Sequence, residues 1–107
     1  MTLEAMIERR ACKRILDQLG VYSIKLTTPG QSGFPDRLFL IPGGRPFFIE
    51  FKRPGEEPRP LQHHIHQLLR QLGYDVEVHD AIEPAFAAVS KRLDAARIPA
   101  NKRKIPA

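Results

Sequence analysis

Three stretches of the chain repeat apolar residues at the three- and four-residue spacing of an amphipathic helix. They predict a helix over residues 2–19, a second over residues 61–72, and a third that begins with the capping-box pattern at residues 80–83. Gly20 and Gly73 follow the first two stretches, and glycine is typical of helix ends. Each helix is therefore expected to pack one apolar face on a shared core.

Four shorter stretches carry the β-forming residues and loose alternation of strands, at residues 21–26, 36–41, 46–51 and 74–79. Turn-forming residues separate the first three, at residues 27–35 and 42–45. The order α-β-β-β-α-β-α predicts an α/β fold with a mixed four-stranded sheet flanked by helices. The strand–helix–strand segment at residues 46–79 predicts a right-handed parallel crossover.

Composition limits the class of protein. The chain has 107 residues, 42% hydrophobic and 27% charged, which suits one modest globular domain. It lacks the apolar run of about 20 residues that a membrane span needs, and its N-terminus lacks a signal-peptide pattern. The single cysteine allows no internal disulfide. These features predict an intracellular, cytoplasmic protein without a membrane partner.

The net charge of +5 is unevenly distributed. Residues 97–107 hold four Lys/Arg and no acid, which leaves 13 Lys/Arg against 12 Asp/Glu in residues 1–96. The sequence therefore predicts a folded domain at residues 1–96 and a basic, mobile tail at residues 97–107. Overall charge is weak support for a nucleic-acid partner, so local placement must carry that argument.

The chemistry centres on two short motifs. Asp36 ends the turn Gly33-Phe34-Pro35-Asp36, and Glu50-Phe51-Lys52 begins fourteen residues later in the third predicted strand. Side chains alternate along a strand, so Glu50 and Lys52 share one face. Two close carboxylates repel each other unless a cation lies between them, and Mg²⁺ or Mn²⁺ prefers such oxygen ligands. Lys52 could then orient an attacking water or neutralise charge on a phosphate.

This interpretation depends on the register of the hairpin. A two-residue Gly43-Gly44 loop would put Arg37 opposite Glu50 and turn Asp36 to the other face. A three-residue loop at residues 42–44, with a glycine in the left-handed conformation, would put Asp36 opposite Glu50. A β-bulge could also shift the register.

Taken together, the motifs resemble the virus-type replication–repair nuclease (VRR-NUC) domain of the PD-(D/E)xK nuclease superfamily. The resemblance covers residues 4–93 and includes the acid in Ile7-Glu8, the loop before Asp36, the Glu50-x-Lys52 strand and Leu61-Gln62. It implies a single restriction-endonuclease-like domain. By its size and family, such a protein is expected in a bacterium or phage.

The resemblance also implies a metal-dependent DNA endonuclease that acts as a homodimer on branched DNA such as a Holliday junction. Its catalytic set would be Asp36, Glu50, Lys52, Gln62 and Glu8. The Mg²⁺ or Mn²⁺ ligands would be Asp36, Glu50, Glu8 and the carbonyl of Phe51. Glu4 lies one helical turn from Glu8 on the same face and is an alternative, but the spacing from Glu8 to Gly20 fits the family better.

Several residues have alternative interpretations. The predicted DNA contacts are Lys25, Arg37, Arg53, Arg9 and Lys13, although basic residues on a helix are commonly just solvated. His63, His64 and His66 lack the spacing of a strong zinc site and are expected on or near the exposed face of the second helix. Asp36 could be a plain turn residue, and Glu50 and Lys52 a surface ion pair.

Two other functions compete with a junction-cutting nuclease. The first is a flap, nick or restriction-type nuclease with the same site and a different docking surface. The second is a non-catalytic nucleic-acid-binding module, in which the acids are structural and binding needs no metal.

Overall fold

The computed structural model describes residues 1–96, and the predicted tail at residues 97–107 lies outside them. The elements are α1 (Leu3–Leu19), β1 (Tyr22–Lys25), β2 (Arg37–Leu40), β3 (Phe47–Phe51), α2 (Pro60–Gln71), β4 (Val76–His79) and α3 (Ile82–Ala96). Every predicted element is present, and each strand is at most two residues shorter at either end than predicted. Among the described residues, no helix has the length and apolar character to cross a membrane.

The four strands form one mixed sheet in the order β1-β2-β3-β4. β2 is antiparallel to both β1 and β3. β4 runs parallel to β3, with Glu50 paired to Val78. Because two parallel strands need a long connection between them, α2 fills that role. The predicted α/β fold with a mixed sheet is confirmed.

The two faces of the sheet are covered by different helices. Phe47, Ile49 and Phe51 are buried in a core shared with α1 and α3. Phe48, which lies between them in sequence, belongs instead to a smaller cluster with Ile65 of α2. This alternation places Glu50 and Lys52 on the α2 face, where polar groups of α2 can reach them.

Helix α1 is fixed at both ends. Thr2 caps it by accepting a hydrogen bond from the Ala5 amide at 3.1 Å, and the Gly20 amide donates to the Leu16 carbonyl at 3.0 Å. Ile7, Ala11 and Ile15 are its buried apolar positions. Glu8 is buried beside them, so the packing of α1 carries an acid onto the sheet.

The β2–β3 hairpin has the register that brings Asp36 opposite Glu50. Arg37 pairs with Ile49 and Phe39 with Phe47, and continuing this ladder by one position pairs Asp36 with Glu50. The turn contains Gly43 at φ 71°, and the Gly44 amide donates to the Ile41 carbonyl at 3.0 Å. The structure therefore has the register predicted for a three-residue loop with a left-handed glycine. The two-residue loop is excluded.

Gly33, in the loop before Asp36, should tolerate no side chain. Its φ is +93°, and an added Cβ would lie 2.9 Å from Ile65 Cγ1 and 3.0 Å from the Leu61 carbonyl oxygen. We expect Gly33→Ala to lower the free energy of unfolding by roughly 2–4 kcal/mol, from left-handed strain plus overpacking against α2. Denaturant titration followed by circular dichroism measures this loss.

Gly30→Ala is the matched control, because Gly30 has φ +75° and no atom within 4 Å of an added Cβ. Gly30→Ala should lower the free energy of unfolding only by the strain of the left-handed backbone, about 1 kcal/mol. Equal losses in the two variants would show that the loop does not pack on α2 as described.

Candidate active site

Buried charge is concentrated at one end of the sheet, on the face covered by α2. Glu50 is 3% exposed and Lys52 is 4% exposed, although Glu and Lys are among the residues least often buried. Asp36 lies immediately before β2, at the same end. The register of the β2–β3 hairpin therefore brings the two sequence motifs together.

Asp36 is held by the backbone of the neighbouring strand. Its Oδ2 accepts a hydrogen bond from the Phe51 amide at 2.7 Å. Burial raises the pKa of Asp36, the Phe51 hydrogen bond partly offsets this, and the nearby Glu8 carboxylate raises it further. The carboxylate is thus fixed in position and lies close to other negative charge.

Glu50 has one oxygen with partners and one without. Its Oε2 lies 3.4 Å from Gln62 Nε2, which donates a hydrogen bond to it, and 3.7 Å from Lys52 Nζ. Its Oε1 is buried and has no hydrogen-bond partner within residues 1–96. Burial, followed by the charge of Asp36, raises the pKa of Glu50 to about 8. The site is therefore rich in carboxylate and short of cationic partners.

Gln62 connects this carboxylate to the start of α2. Its Oε1 accepts a hydrogen bond from the Arg59 amide at 2.8 Å. Since a backbone amide can only donate, the carbonyl side of Gln62 faces Arg59 and the NH₂ side is left for Glu50. The N-terminus of α2 thus sets the orientation of the group that holds Glu50.

Glu8 lies in an ion-pair cluster at the adjoining end of β1 and β2. Lys25 Nζ is 2.8 Å from both carboxylate oxygens, and Arg37 Nε is 2.7 Å from Oε2. Two predicted DNA contacts, Lys25 and Arg37, therefore pair with a predicted metal ligand. Glu4 is half-buried and raises the pKa of Glu50 through its charge, so both acids of α1 act on the site electrostatically.

The remaining predicted DNA contacts lie on the surface. Arg53, just after β3, is exposed and pairs with Glu56 at 3.0 Å. Arg9 and Lys13 are exposed on α1, and Lys13 pairs with Asp17 at 2.7 Å. Surface pairs of this kind are weak and can be exchanged for other anions.

The predicted exposure of the α2 histidines is correct for His63 and His64 and wrong for His66. His66 is 1% exposed, and its Nε2 lies 3.6 Å from Glu50 Oε1. It follows Gln62 by four residues, so both side chains lie on one helical face. The four-residue spacing from Gln62 is the signal in the sequence for the burial of His66. It indicates burial only once α2 is known to cover Glu50.

The two adjoining carboxylates fit a divalent cation. Among residues 1–96, Glu50 Oε1 has no hydrogen-bond partner, and the charge of Asp36 raises the pKa of Glu50, so a cation between the two carboxylates would relieve their repulsion. Within residues 1–96, no group of three or more His, Cys, Asp or Glu side chains is arranged to hold a metal. Mg²⁺ commonly binds through one or two carboxylates and keeps several waters. Asp36 and Glu50 could therefore hold it, whereas Glu8 is engaged by Lys25 and Arg37.

Without divalent metal, the protein should become less stable as pH rises from 6.5 to 8. The pKa of Glu50 is about 8 in the folded state and 4.5 ordinarily, so across this range the folded protein keeps a proton that the unfolded chain has released. The pKa of His66 is lowered from 6.5 to about 4, so His66 makes the protein more stable as pH rises. This opposite effect is confined to pH values below 6.5. We expect a loss of about 1–2 kcal/mol, measured by urea unfolding in EDTA.

Glu50→Gln tests the assignment of this effect, because it removes the titrating group and keeps the shape. The variant should show a much flatter stability profile between pH 6.5 and 8. An equally steep loss in Glu50→Gln would assign the effect to other groups.

Comparison with known proteins finds a similar solved structure and a similar phage protein. A solved structure described as "VRR_NUC domain" is similar with a TM-score of 0.73 and 30% sequence identity, over 84% of this chain and 97% of that chain. "Putative nuclease p44" of Acyrthosiphon pisum secondary endosymbiont phage 1 is 42% identical over 64 residues, which is 60% of this chain and 69% of the relative. No family model matches the chain.

Proposed function

The chain belongs to the VRR-NUC domain family of nucleases, and on that premise we propose that it is a metal-dependent endonuclease that hydrolyses phosphodiester bonds in DNA. The observation that carries the proposal is the group that half-buried Asp36 forms with buried Glu50 and Lys52 at one end of the sheet. Glu50 Oε1 has no hydrogen-bond partner in the described part of the chain, and Lys52 Nζ lies 3.7 Å from Glu50 Oε2. A module that only bound DNA would gain nothing from buried acids facing phosphate.

Each residue of the site has a defined chemical role in this proposal. Asp36 and Glu50 hold Mg²⁺ or Mn²⁺, with the Phe51 carbonyl as a further candidate ligand. When bound, the cation polarises the phosphodiester and lowers the pKa of a bound water. Lys52 orients the attacking water or neutralises charge that develops on the phosphate. Gln62 keeps Glu50 in place through its hydrogen bond at 3.4 Å.

Lys25, Arg37 and Glu8 form the side of the site that meets the DNA backbone in this proposal. Glu8 is buried, while the Lys25 side chain is 54% exposed. Glu8 can therefore keep Arg37 and Lys25 aligned while Lys25 remains open to a phosphate. Arg53, Arg9 and Lys13 would extend the basic contact outside the site by exchanging carboxylate partners for phosphate.

The finer part of the proposal is that the protein acts as a homodimer on branched DNA. Symmetric cutting of a four-way junction needs two sites related by two-fold symmetry. Apolar surface supports a partner, because Leu61 and Leu68 of α2 and Leu72, which follows the helix, are 42–63% exposed. Light scattering of the purified chain should give about twice the monomer mass if this part is right. An intracellular setting in a bacterium or phage fits a relative encoded by a phage.

The test is cleavage of labelled four-way, flap, nicked and linear DNA in Mg²⁺, Mn²⁺ or EDTA. We expect paired cuts in the four-way junction with either metal and none in EDTA. Cutting of flaps or linear duplex alone would keep the active site and reject the junction. A folded protein that binds DNA but cuts none of these substrates with either metal would favour the binding-module alternative.

A further inference from the structure

His66 and Glu50 form a buried polar pair in which neither facing atom has a hydrogen-bond partner among the residues that the structure describes. His66 Nε2 and Glu50 Oε1 are 3.6 Å apart, and both atoms are buried. The side chains of His66 and Glu50 are only 1% and 3% exposed. Ile65 and Leu69, the neighbouring buried positions of α2, are apolar.

Stability alone does not explain a histidine at this position. A buried polar atom without a partner costs folding free energy, whereas an apolar side chain of similar size would avoid that cost. Two such atoms facing each other indicate a site whose hydrogen bonds are completed only when a ligand binds. The carboxylate of Glu50 is a proposed metal ligand, so its second oxygen is the group that needs a fixed partner when the carboxylate is ionised.

The imidazole suits this task in its neutral form. A neutral imidazole carries one N–H, and the Nε2–H tautomer would aim that donor at Glu50. An approach of about half an ångström would turn the 3.6 Å separation into an ordinary hydrogen bond.

We propose that His66 is a positioning residue whose Nε2–H holds Oε1 of Glu50, so that the carboxylate is presented to the metal in one orientation. The inference rests on the proposed function, because it assigns His66 to the same metal site. Gln62 holds the other oxygen at 3.4 Å, so the two α2 side chains together would fix both oxygens of Glu50. Each oxygen keeps a further lone pair for the metal. Partners that orient a metal ligand in this way typically change metal affinity by about 10–100-fold when removed.

The experiment measures Mn²⁺ binding by calorimetry and thermal stability for four proteins. These are the wild type, His66→Leu, His66→Gln and the control His64→Leu, which makes the same change at an exposed position of the same helix. We expect His66→Leu to weaken Mn²⁺ binding about 10–100-fold with an unchanged or higher melting temperature. His66→Gln keeps an N–H donor and should restore most of the affinity, and His64→Leu should match the wild type.

Two results would overturn the inference. One is wild-type Mn²⁺ affinity in His66→Leu. The other is an equal loss in His66→Leu and His66→Gln, which indicates a direct ligand or a packing role. If His66→Leu does not fold, His66→Met takes its place, since its flexible side chain adapts to irregular space. Asp36→Asn separates the two proposals: if the wild type binds no Mn²⁺, or Asp36→Asn binds it equally well, the proposed metal site itself is wrong.

Discussion

Asp36→Asn should lower metal-dependent DNA cleavage by about 10³-fold while leaving the protein folded. The substitution removes one of two carboxylates that face a common point and keeps the size and shape of the side chain. The Asn carbonyl oxygen can still accept the hydrogen bond from the Phe51 amide, which is 2.7 Å from Oδ2 in the wild type. A metal ion contributes several kcal/mol to the stabilisation of the transition state, and each 1.36 kcal/mol corresponds to a tenfold change in rate.

The measurement is single-turnover cleavage of a labelled substrate at several Mn²⁺ concentrations. Asp17→Asn is the matched control, because Asp17 lies on the exposed side of α1 and pairs with Lys13. It should cut at the wild-type rate. Asp36→Asn should also lower the pKa of Glu50, because the charge of Asp36 is its second largest cause of elevation after burial. Cleavage within tenfold of the wild type would contradict the assignment of Asp36 as a metal ligand.

The juxtaposition of Asp36 and Glu50 could be predicted because local signals determine it. Alternation in β3 assigns Glu50 and Lys52 to one face, and the turn at residues 42–45 links β2 directly to β3. Once the loop is given an odd number of residues, the register places Asp36 opposite Glu50. The glycine at φ 71° and the observed ladder agree with that reasoning.

The ion-pair cluster of Glu8 could not be predicted in the same way. Lys25 and Arg37 are directly opposite each other on β1 and β2, and two like charges in that arrangement need an anion nearby. Residues 27–35 connect the two strands, and a loop of that length does not set the register. From the sequence, both residues are therefore predicted to contact phosphate. Their contact with Glu8 depends on how α1 packs across the sheet.

The burial of His66 depends on a similar long-range fact. The apolar pattern of α2 identifies Ile65 and Leu69 as buried, and His66 lies beside that stripe. Whether its side chain points inward depends on which polar residue of the sheet lies beneath α2. The parallel β3–β4 pairing places Glu50 beneath α2. The sequence of the helix alone does not predict which residue of the sheet lies there.

Lys52→Met should lower cleavage by about 10²–10³-fold while Mn²⁺ affinity is unchanged or higher. Methionine keeps an unbranched side chain of similar length and removes the positive charge. Lys52 Nζ lies 3.7 Å from Glu50 Oε2 and 3.7 Å from Glu56 Oε1. Its loss removes the positive charge beside Glu50 and, with it, repulsion of the metal, while Glu56 keeps its pair with Arg53. The loss of rate would then come from the step that Lys52 assists, and not from the absence of metal.

Measuring metal binding and cleavage in the same preparation separates this effect from that of Asp36→Asn, which should lose both. Lys91→Met is the control, because Lys91 is exposed on α3 and outside the site. A Lys52→Met variant that binds Mn²⁺ and cuts at the wild-type rate would reduce Lys52 to a structural counter-ion of Glu50 and Glu56. Among residues 1–96, Lys52 is the buried ammonium beside a carboxylate that has an oxygen without a hydrogen-bond partner. We expect the chemistry to depend on this ammonium, because water cannot supply a positioned charge in its place.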